Sequence, residues 1–215
     1  MPNARPLLRQ DCDQQPDRLI HTCLLFLLIA VTAPALAGNQ LYEPLAASVR
    51  AGLQSAIADK PSERHGFTSG LEAANWLSAM SPRLLPKFPK YEARIDFLRS
   101  VHYEATRAGL DPQLVLAIIQ VESNFRKYSV SVAGARGYMQ VMPFWTSLIG
   151  RPGDNLFNLR TNIRYGCVIL RHYLDIEKGD VVRALGRYNG SLGKPEYPNL
   201  VLGAHRANWQ YEKSR

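Results

Sequence analysis

The sequence predicts a mainly α-helical fold, and three observations support this. Apolar residues recur three and four positions apart in successive segments from about residue 42 onward, which is the spacing of one helix face. Residues typical of helix starts and stops stand at the ends of these segments. The chain after Tyr91 has no convincing alternation of apolar and polar residues and no hairpin turn, so strands are not expected.

The first 37 residues are typical of an export signal. A continuous apolar run, Cys23–Val31, follows Arg18 and precedes Ala35-Leu36-Ala37, with a small residue on each side of Leu36, which predicts cleavage before Gly38. The run is shorter than the roughly 20 residues that span a membrane. An uncleaved anchor in the inner membrane is the alternative, and the expected location of the cleaved chain is the periplasm.

Removal of residues 1–37 would leave Cys167 as the only cysteine. Its place among apolar residues predicts a buried structural thiol. The net charge is +8, and it would not change, because the removed segment carries three arginines and three aspartates. A basic exported protein suits an acidic cell-envelope polymer or a membrane surface, and nucleic acid is disfavoured. A merely soluble basic surface explains the charge equally well.

Residues 38–90 are expected to form an N-terminal helical extension with a proline-rich linker. A first helix is predicted over 42–58 and a second from about Leu71 to Met80. Residues 81–90 are expected to be extended, since prolines interrupt helices. The first helix has one apolar stripe, and the linker has three prolines: Leu45, Val49, Leu53 and Ile57; Pro82, Pro86 and Pro89.

The main domain is predicted to cover residues 91–215. A first helix starts near Tyr91 and stops near Gly109, a residue suited to the position after a helix end. Asp111 as N-cap and Pro112 at the first helical position start the next helix. Further helices are predicted over Pro143–Ile149, around an apolar stripe at 163–174, and after an Asp180 cap. Their apolar positions are Ile95, Leu98, Ala105, Leu114, Ala117, Ile118, Val121, Ile163, Cys167, Leu170, Leu174, Val181, Ala184, Leu185 and Tyr188.

Glu122 is the candidate for chemistry. It stands four residues after Ile118, so it borders the buried face of its helix. It is also near the helix C-terminus, where the macrodipole disfavours a carboxylate. Burial and the dipole both predict a raised pKa and hence a general acid. A carboxyl group that turns outward, or one bonded to nearby backbone, is the alternative.

The segment after Glu122 has the residue types of a sugar-binding cleft. Small glycines allow close backbone approach, amides can donate and accept, and aromatic or thioether side chains offer apolar contact. A sugar with N-acetyl groups needs this mixture. The residues are Gly134, Gly137, Tyr138, Gln140 and Met142 within SVAGARGYMQVMP (131–143), and Tyr188 and Asn189 within RYNG (187–190).

Residues from about Ile95 to Asn199 resemble the lytic transglycosylases related to soluble lytic murein transglycosylase, which have a goose-type lysozyme-like fold. The resemblance rests on four motifs, which occur in the family's order and close to its spacing. They are VESNF (121–125), SVAGARGYMQVMP (131–143), NLRTNIRYGCVILRHYL (158–174) and RYNG (187–190).

The resemblance implies a role for each matching residue. Glu122 matches the single catalytic acid/base, which protonates the oxygen between N-acetylmuramic acid and N-acetylglucosamine and then deprotonates the muramyl 6-hydroxyl. The product would be a 1,6-anhydromuramyl end. Ser131 matches a substrate-contacting serine and Gln140 the glutamine of a Gly-Leu-Met-Gln motif, while Tyr188 and Asn189 match an Ala-Tyr-Asn motif. The expected substrate-binding set is Ser131, Tyr138, Gln140, Met142, Tyr188 and Asn189.

The chain departs from the family at the cleft wall. Tyr138 replaces the usual leucine, Arg187 replaces the usual alanine, and Gly190–Gly193 replaces a more common Ala-Gly-Pro-Gly. No second catalytic carboxylate is evident, although Asp154 or Glu196 could approach the cleft. Most glycosidases use two carboxyl groups, whereas an intramolecular hydroxyl nucleophile removes that need.

Three functions remain open at this point: a lytic transglycosylase, a hydrolysing muramidase, and a non-catalytic peptidoglycan-binding protein of a secretion assembly. The expected partners are peptidoglycan strands and a cell-envelope or secretion protein, with the chain itself a monomer. No cofactor or metal is expected, since His102 and His172 lack metal-ligand spacing. The basic residues at 83, 87, 90, 94 and 99 are expected to be solvated, with attraction to glycan or membrane as the alternative.

Overall fold

The computed structural model describes residues 40–58, 67–151 and 153–211. The predicted export signal, its cleavage site and the two N-terminal cysteines lie outside the described residues. Within these ranges no helix has both the length and the apolar character needed to cross a membrane.

The described chain is almost entirely helices and turns. Two isolated β-bridges, which join Arg136 to Val130 and to Val141, are its only extended pairings in these ranges. The predicted mainly α fold is confirmed. The helices are α1 (Ala47–Ala58), α2 (Gly70–Leu84), α3 (Tyr91–Arg107), α4 (Pro112–Ser123), α5 (Phe144–Ile149), α6 (Leu159–Ile176), α7 (Val181–Asn189), α8 (Glu196–Ala204) and a π-helix (His205–Trp209).

Helix α4 is the central element. The Asp111 carboxylate accepts a hydrogen bond from the Gln113 N–H, and Pro112 occupies the first turn, so the predicted start is confirmed. Every residue of 114–119 is buried, so this stretch is enclosed on all sides and not along one stripe. The neighbours of α4 are α3, α8 and the π-helix.

Helices α3, α6 and α7 pack on one another, and α3 also packs on α4. α6 lies between the other two. Asn158 caps α6 and Asp180 caps α7 through side-chain oxygens, and Gly109 follows α3 with φ of 66°. The expected α5, closed by Gly150, is also present. These elements form as predicted because caps and apolar spacing are local signals.

The prediction for residues 81–90 is wrong in part, because α2 continues to Leu84 with Pro82 inside the helix. A proline removes one helical hydrogen bond. Burial of Met80 and Leu84 on the inward face supports the helix there, while Pro82 lies on the exposed face. The first helix is also shorter than predicted and begins at Ala47.

The segments before α3 pack directly on the later helices. α1 contacts α5 and α6, and α2 contacts α3. The Trp76 indole N–H donates to the Gln113 side chain at 3.1 Å. Arg94, expected to be solvated, is instead buried, and its guanidinium donates to the Ser81 hydroxyl and the Phe88 carbonyl. A domain boundary at residue 90 remains a prediction.

A buried carboxylate joins α3 to α6. Glu104 is 1% exposed, and it accepts hydrogen bonds from Arg164 of α6 at 2.8 Å and from Arg107, one turn further along α3, at 3.1 Å. Arg164 also donates to the Ile57 carbonyl of α1. This ion pair therefore ties three helices together.

We expect Glu104→Gln to lower the free energy of unfolding by about 3 kcal/mol, because removal of the buried carboxylate charge leaves the partly buried guanidinium groups of Arg107 and Arg164 without compensation. Urea denaturation of both proteins measures the difference. The matched control is Asp175→Asn, which breaks the surface pair with Arg171 and should cost less than about 1 kcal/mol. Equal losses from the two substitutions would contradict the interpretation.

Candidate active site

Glu122 lies in the last turn of α4 with its carboxyl group inside the protein. Its side chain is 2% exposed. Its Oε1 accepts a hydrogen bond of 2.6 Å from the hydroxyl of Tyr197, which is 1% exposed and belongs to α8. The sequence-based alternative of an outward-turned glutamate is therefore wrong.

The chain turns sharply just after Glu122. Asn124 and Phe125 both have positive φ, 49° and 64°. Such backbone is uncommon for an aromatic residue and is maintained only where surrounding packing requires it. The Phe125 ring is held by Phe97 and Trp209 at ring-centre distances of 5.9 and 5.6 Å. This turn ends α4 at Ser123, one residue after Glu122.

The loop 129–141 is bound by side chains from three helices. The Ser123 hydroxyl of α4 donates a hydrogen bond of 2.7 Å to the Tyr138 carbonyl. Asn162 of α6 accepts from the Met139 N–H at 2.8 Å and donates to the Arg136 carbonyl at 2.8 Å. The Tyr188 hydroxyl of α7 donates to the Met139 carbonyl at 2.7 Å.

Within the loop, Gln140 holds its own turn. Its amide nitrogen donates to the carbonyls of Ser129 and Gly137 at 3.1 and 2.9 Å. Gly137 has φ of 78°, and a Cβ there would lie 2.4 Å from both the Asn162 amide nitrogen and the Leu156 carbonyl. Only glycine fits at this position. The close backbone approach expected at Gly137 is therefore made to the Asn162 side chain of α6 and to the Leu156 carbonyl.

The other predicted substrate-binding residues occupy different positions. The Ser131 hydroxyl accepts from the Ala135 N–H and closes a turn. Tyr138 is buried with its ring against Phe97, and burial and the nearby Tyr128 raise its pKa to about 12. The Asn189 amide donates to the Ser191 hydroxyl, and Met142 is half-buried. Their roles toward substrate remain predictions.

Two buried phenols lie close to the Glu122 carboxyl group. Burial is the main cause that raises the pKa of Tyr197 well above 10, and the charge of Glu122 adds to it. The same two causes raise the pKa of Tyr188. Both hydroxyls therefore remain protonated donors at any physiological pH.

The segment 40–43 also reaches this region. The buried Gln40 accepts the Trp145 indole N–H at 3.0 Å and the Met142 N–H at 3.3 Å, and its amide lies near enough to Tyr188 to lower that pKa against the larger effect of burial. Glu43 pairs with Arg187 at 3.3 Å. The N-terminal extension thus contacts both segments predicted to bind substrate.

The two other carboxylates considered from the sequence have different surroundings. Asp154 accepts hydrogen bonds from the Tyr165 hydroxyl and the Arg151 N–H. Glu196 is exposed in the first turn of α8. The hydrogen bonds of Asp154 are made neither with Glu122 nor with Ser123, Asn162 or Tyr188, which bind the 129–141 loop.

Tyr197, Asn162 and Gln40 were missed from the sequence. Tyr197 and Val201 are four apart and buried, a weak helical signal that two neighbouring prolines, Pro195 and Pro198, obscure. No pattern in the sequence pairs Gln40 with Trp145 or Asn162 with Met139, because these contacts join distant segments.

The described chain is thus a helical domain that buries one glutamate at the end of its central helix, beside a loop bound by three helices, and this part of the chain matches a family of known proteins. The family is that described as "Transglycosylase SLT domain", whose model matches residues 99–197. The match contains Glu122, the loop 129–141, Tyr188 and Tyr197.

Individual relatives cover part of the chain. A transglycosylase from Enterobacteria phage PRD1 is 36% identical over 101 residues, which are 47% of this chain and 32% of the relative. Membrane-bound lytic murein transglycosylase C from Yersinia pestis (strain Pestoides F) is 32% identical over 142 residues and aligns with 59% of this chain. The chain spans 38% of that relative's length.

A solved structure is also similar. It is an inactive mutant of the lytic transglycosylase Slt from Pseudomonas aeruginosa, 28% identical, with a TM-score of 0.42. The similarity covers 53% of this chain and 19% of the other.

The raised pKa of Tyr197 predicts a specific loss of stability in alkali. A tyrosine whose pKa is higher in the folded than in the unfolded state contributes stability below its unfolded value, about 10, and that contribution falls as pH rises further. We expect Tyr197→Phe to make the decline in unfolding free energy above pH 10 less steep than in the wild type. Urea denaturation at several alkaline pH values, with tyrosinate absorbance recorded, measures this slope. An unchanged slope would contradict the burial of this phenol.

Gln40→Ala should lower the free energy of unfolding by about 1–3 kcal/mol, because two buried N–H donors lose their acceptor. The fluorescence of Trp145 should change at the same time, since its indole N–H loses its partner. Gln54→Ala, at an exposed position of α1, is the control and should change neither quantity. A Gln40→Ala protein identical to this control would show that segment 40–43 does not dock.

Proposed function

We propose that the chain is a peptidoglycan lytic transglycosylase that cleaves the β-1,4 bond between N-acetylmuramic acid and N-acetylglucosamine. The observation that carries the proposal is the buried Glu122 carboxyl group, bonded to Tyr197 inside the region that matches the transglycosylase family. A single positioned carboxyl group suffices for this reaction, since the nucleophile is part of the substrate.

The proposed reaction uses Glu122 twice. Its proton goes to the glycosidic oxygen as the bond from that oxygen to the muramyl C1 breaks, and N-acetylglucosamine leaves with a new hydroxyl. The muramyl 6-oxygen then bonds to C1 while Glu122 takes the hydroxyl proton. Glu122 is thus regenerated, no water is consumed, and the product is a 1,6-anhydro ring.

The neighbours of Glu122 act through position in this proposal. The Tyr197 hydroxyl limits rotation of the carboxyl group, which favours a fixed direction for proton transfer. Ser123, Asn162 and Tyr188 fix the 129–141 loop, which carries the predicted sugar contacts. Ser131, Tyr138, Gln140, Met142 and Asn189 are proposed to line the cleft or support its wall.

The site of action is proposed to be outside the cytoplasm, in cell-wall turnover or remodelling. The export pattern at residues 1–37 and the net charge of +8 support this, because the cell wall of bacteria is an anionic polymer network. A membrane anchor, a cell-envelope or secretion protein as partner, and a monomeric state belong to the same proposal.

Mass spectrometry of digested peptidoglycan tests the reaction. We expect products lighter by one water than those of hydrolysis, and a loss of at least about a hundredfold in rate with Glu122→Gln, which removes the proton donor. Glu196→Gln, an exposed change in the same region, is the control and should retain activity.

The alternatives give different products in the same experiment. Reducing ends that contain one added water would indicate a muramidase. Binding of glycan without cleavage, unaffected by Glu122→Gln in a folded protein, would indicate a non-catalytic peptidoglycan-binding protein.

A further inference from the structure

A concave site that does not include Glu122 lies beside α4. We call it the basic pocket: a cavity of about 750 Å³ between the end of α2, the end of α4 and the π-helix. Its volume is within the range that holds small ligands, roughly 300–1,000 Å³. Its lining residues are Arg83, Pro86, Lys87, Gln120, Asn124, Phe125, Arg206, Ala207, Asn208, Trp209 and Gln210.

The basic pocket faces the opposite side of α4 from Glu122. Gln120 lines it and precedes Glu122 by two residues, which is a rotation of about 200° around the helix. Glu122 points to Tyr197 of α8, while the Gln120 side chain accepts from the Trp209 indole N–H of the π-helix at 2.7 Å. The two side chains therefore contact different elements, and Glu122 does not line the basic pocket.

Hydrogen bonds fix much of the pocket wall. The Arg83 guanidinium donates to the carbonyls of Asn208 and Gln210, both at 2.9 Å, so it holds the π-helix against α2. The buried rings of Phe125 and Trp209 form an apolar floor, with their centres 5.6 Å apart. The wall is thus preformed, which lowers the entropic cost of binding.

The charge of the pocket has one sign. Its lining contains three cationic side chains and no carboxylate. Arg83 is occupied by carbonyl oxygens, whereas Lys87 and Arg206 are exposed and pair with no carboxylate in the part of the chain that the structure describes. Side-chain amides at Gln120, Asn124 and Asn208 add donors and acceptors. This combination suits a ligand with carboxylates, amides and small apolar groups.

We propose that the basic pocket binds an acidic peptide, namely the peptide stem that branches from the glycan of peptidoglycan. A stem carries free carboxylates for Lys87 and Arg206, peptide groups for the amide side chains, and alanine methyl groups for the aromatic floor. The glycan backbone is a poorer match, since its N-acetyl sugars carry no carboxylate once the stem is attached.

The identity of this ligand rests on the proposed function, because it names a second part of the same substrate. The cell wall presents many stems close together, so a domain held at one stem meets nearby glycan at a raised effective concentration. The basic pocket would thus increase action on the polymer without contributing to cleavage of a short glycan.

Isothermal titration calorimetry of the purified chain with alanyl-γ-glutamyl-diaminopimelate tests the proposal. The variant is Lys87→Gln/Arg206→Gln. The control, Arg50→Gln/Arg99→Gln, removes the same charge at exposed positions outside the pocket. We expect the variant to bind about tenfold or more weakly, since two charged contacts are lost, and the control to bind like the wild type.

Two further probes decide between ligands. The same peptide with its carboxylates converted to amides should bind weakly to the wild type. Equal binding of the acidic and amidated peptides, equal weakening in variant and control, or competition by a peptide-free N-acetylglucosamine oligomer would overturn the proposal.

Cleavage of peptide-free glycan separates this inference from the proposed function. The Lys87→Gln/Arg206→Gln protein should cleave it at the wild-type rate and cleave whole peptidoglycan more slowly. Peptide binding without any cleavage would overturn the proposed function and leave the acidic-peptide site in place. Cleavage without peptide binding would overturn the proposal that the basic pocket binds a peptide stem and leave the proposed function in place.

Discussion

The site depends on how buried side chains hold the loop 129–141. Asn162, Ser123 and Tyr188 reach it from three different helices and bind its backbone at Arg136, Tyr138 and Met139. A loop contributes little stabilisation of its own, so its shape is fixed by these hydrogen bonds, three of which are buried and one part-buried. The helix packing therefore determines the shape of the wall beside Glu122.

The environment of the carboxyl group follows from the same packing. α8 lies on α4 and α7, which brings the Tyr197 hydroxyl to Glu122. Asn124 and Phe125 turn the chain away at once, so the carboxyl group is at the helix end and remains close to the loop. The aromatic contacts of Phe125 stabilise a backbone conformation that would otherwise be unfavourable. The packing of the core thus determines the position of the Glu122 carboxyl group.

The sequence predicted the helices whose signals are local and missed the contacts that join distant segments. Asp111 with Pro112 and Asp180 mark helix starts, and Glu122 was identifiable from its place at the end of an apolar stripe and from its motif. Pro82 misled the prediction for α2, because burial of Met80 and Leu84 outweighs one missing hydrogen bond. Tyr197 lies 75 residues from Glu122, and no periodicity in the chain connects them.

The prolines that complicated the prediction for residues 81–90 also affect the unfolded chain. Pro82, Pro86 and Pro89 each restrict one backbone angle whether or not the protein is folded, and each restricts the residue before it. The unfolded ensemble of this segment is therefore smaller, and less conformational entropy is lost when α2 docks on α3. Part of the stability that holds the extension to the main helices thus comes from the lower conformational entropy of the unfolded chain.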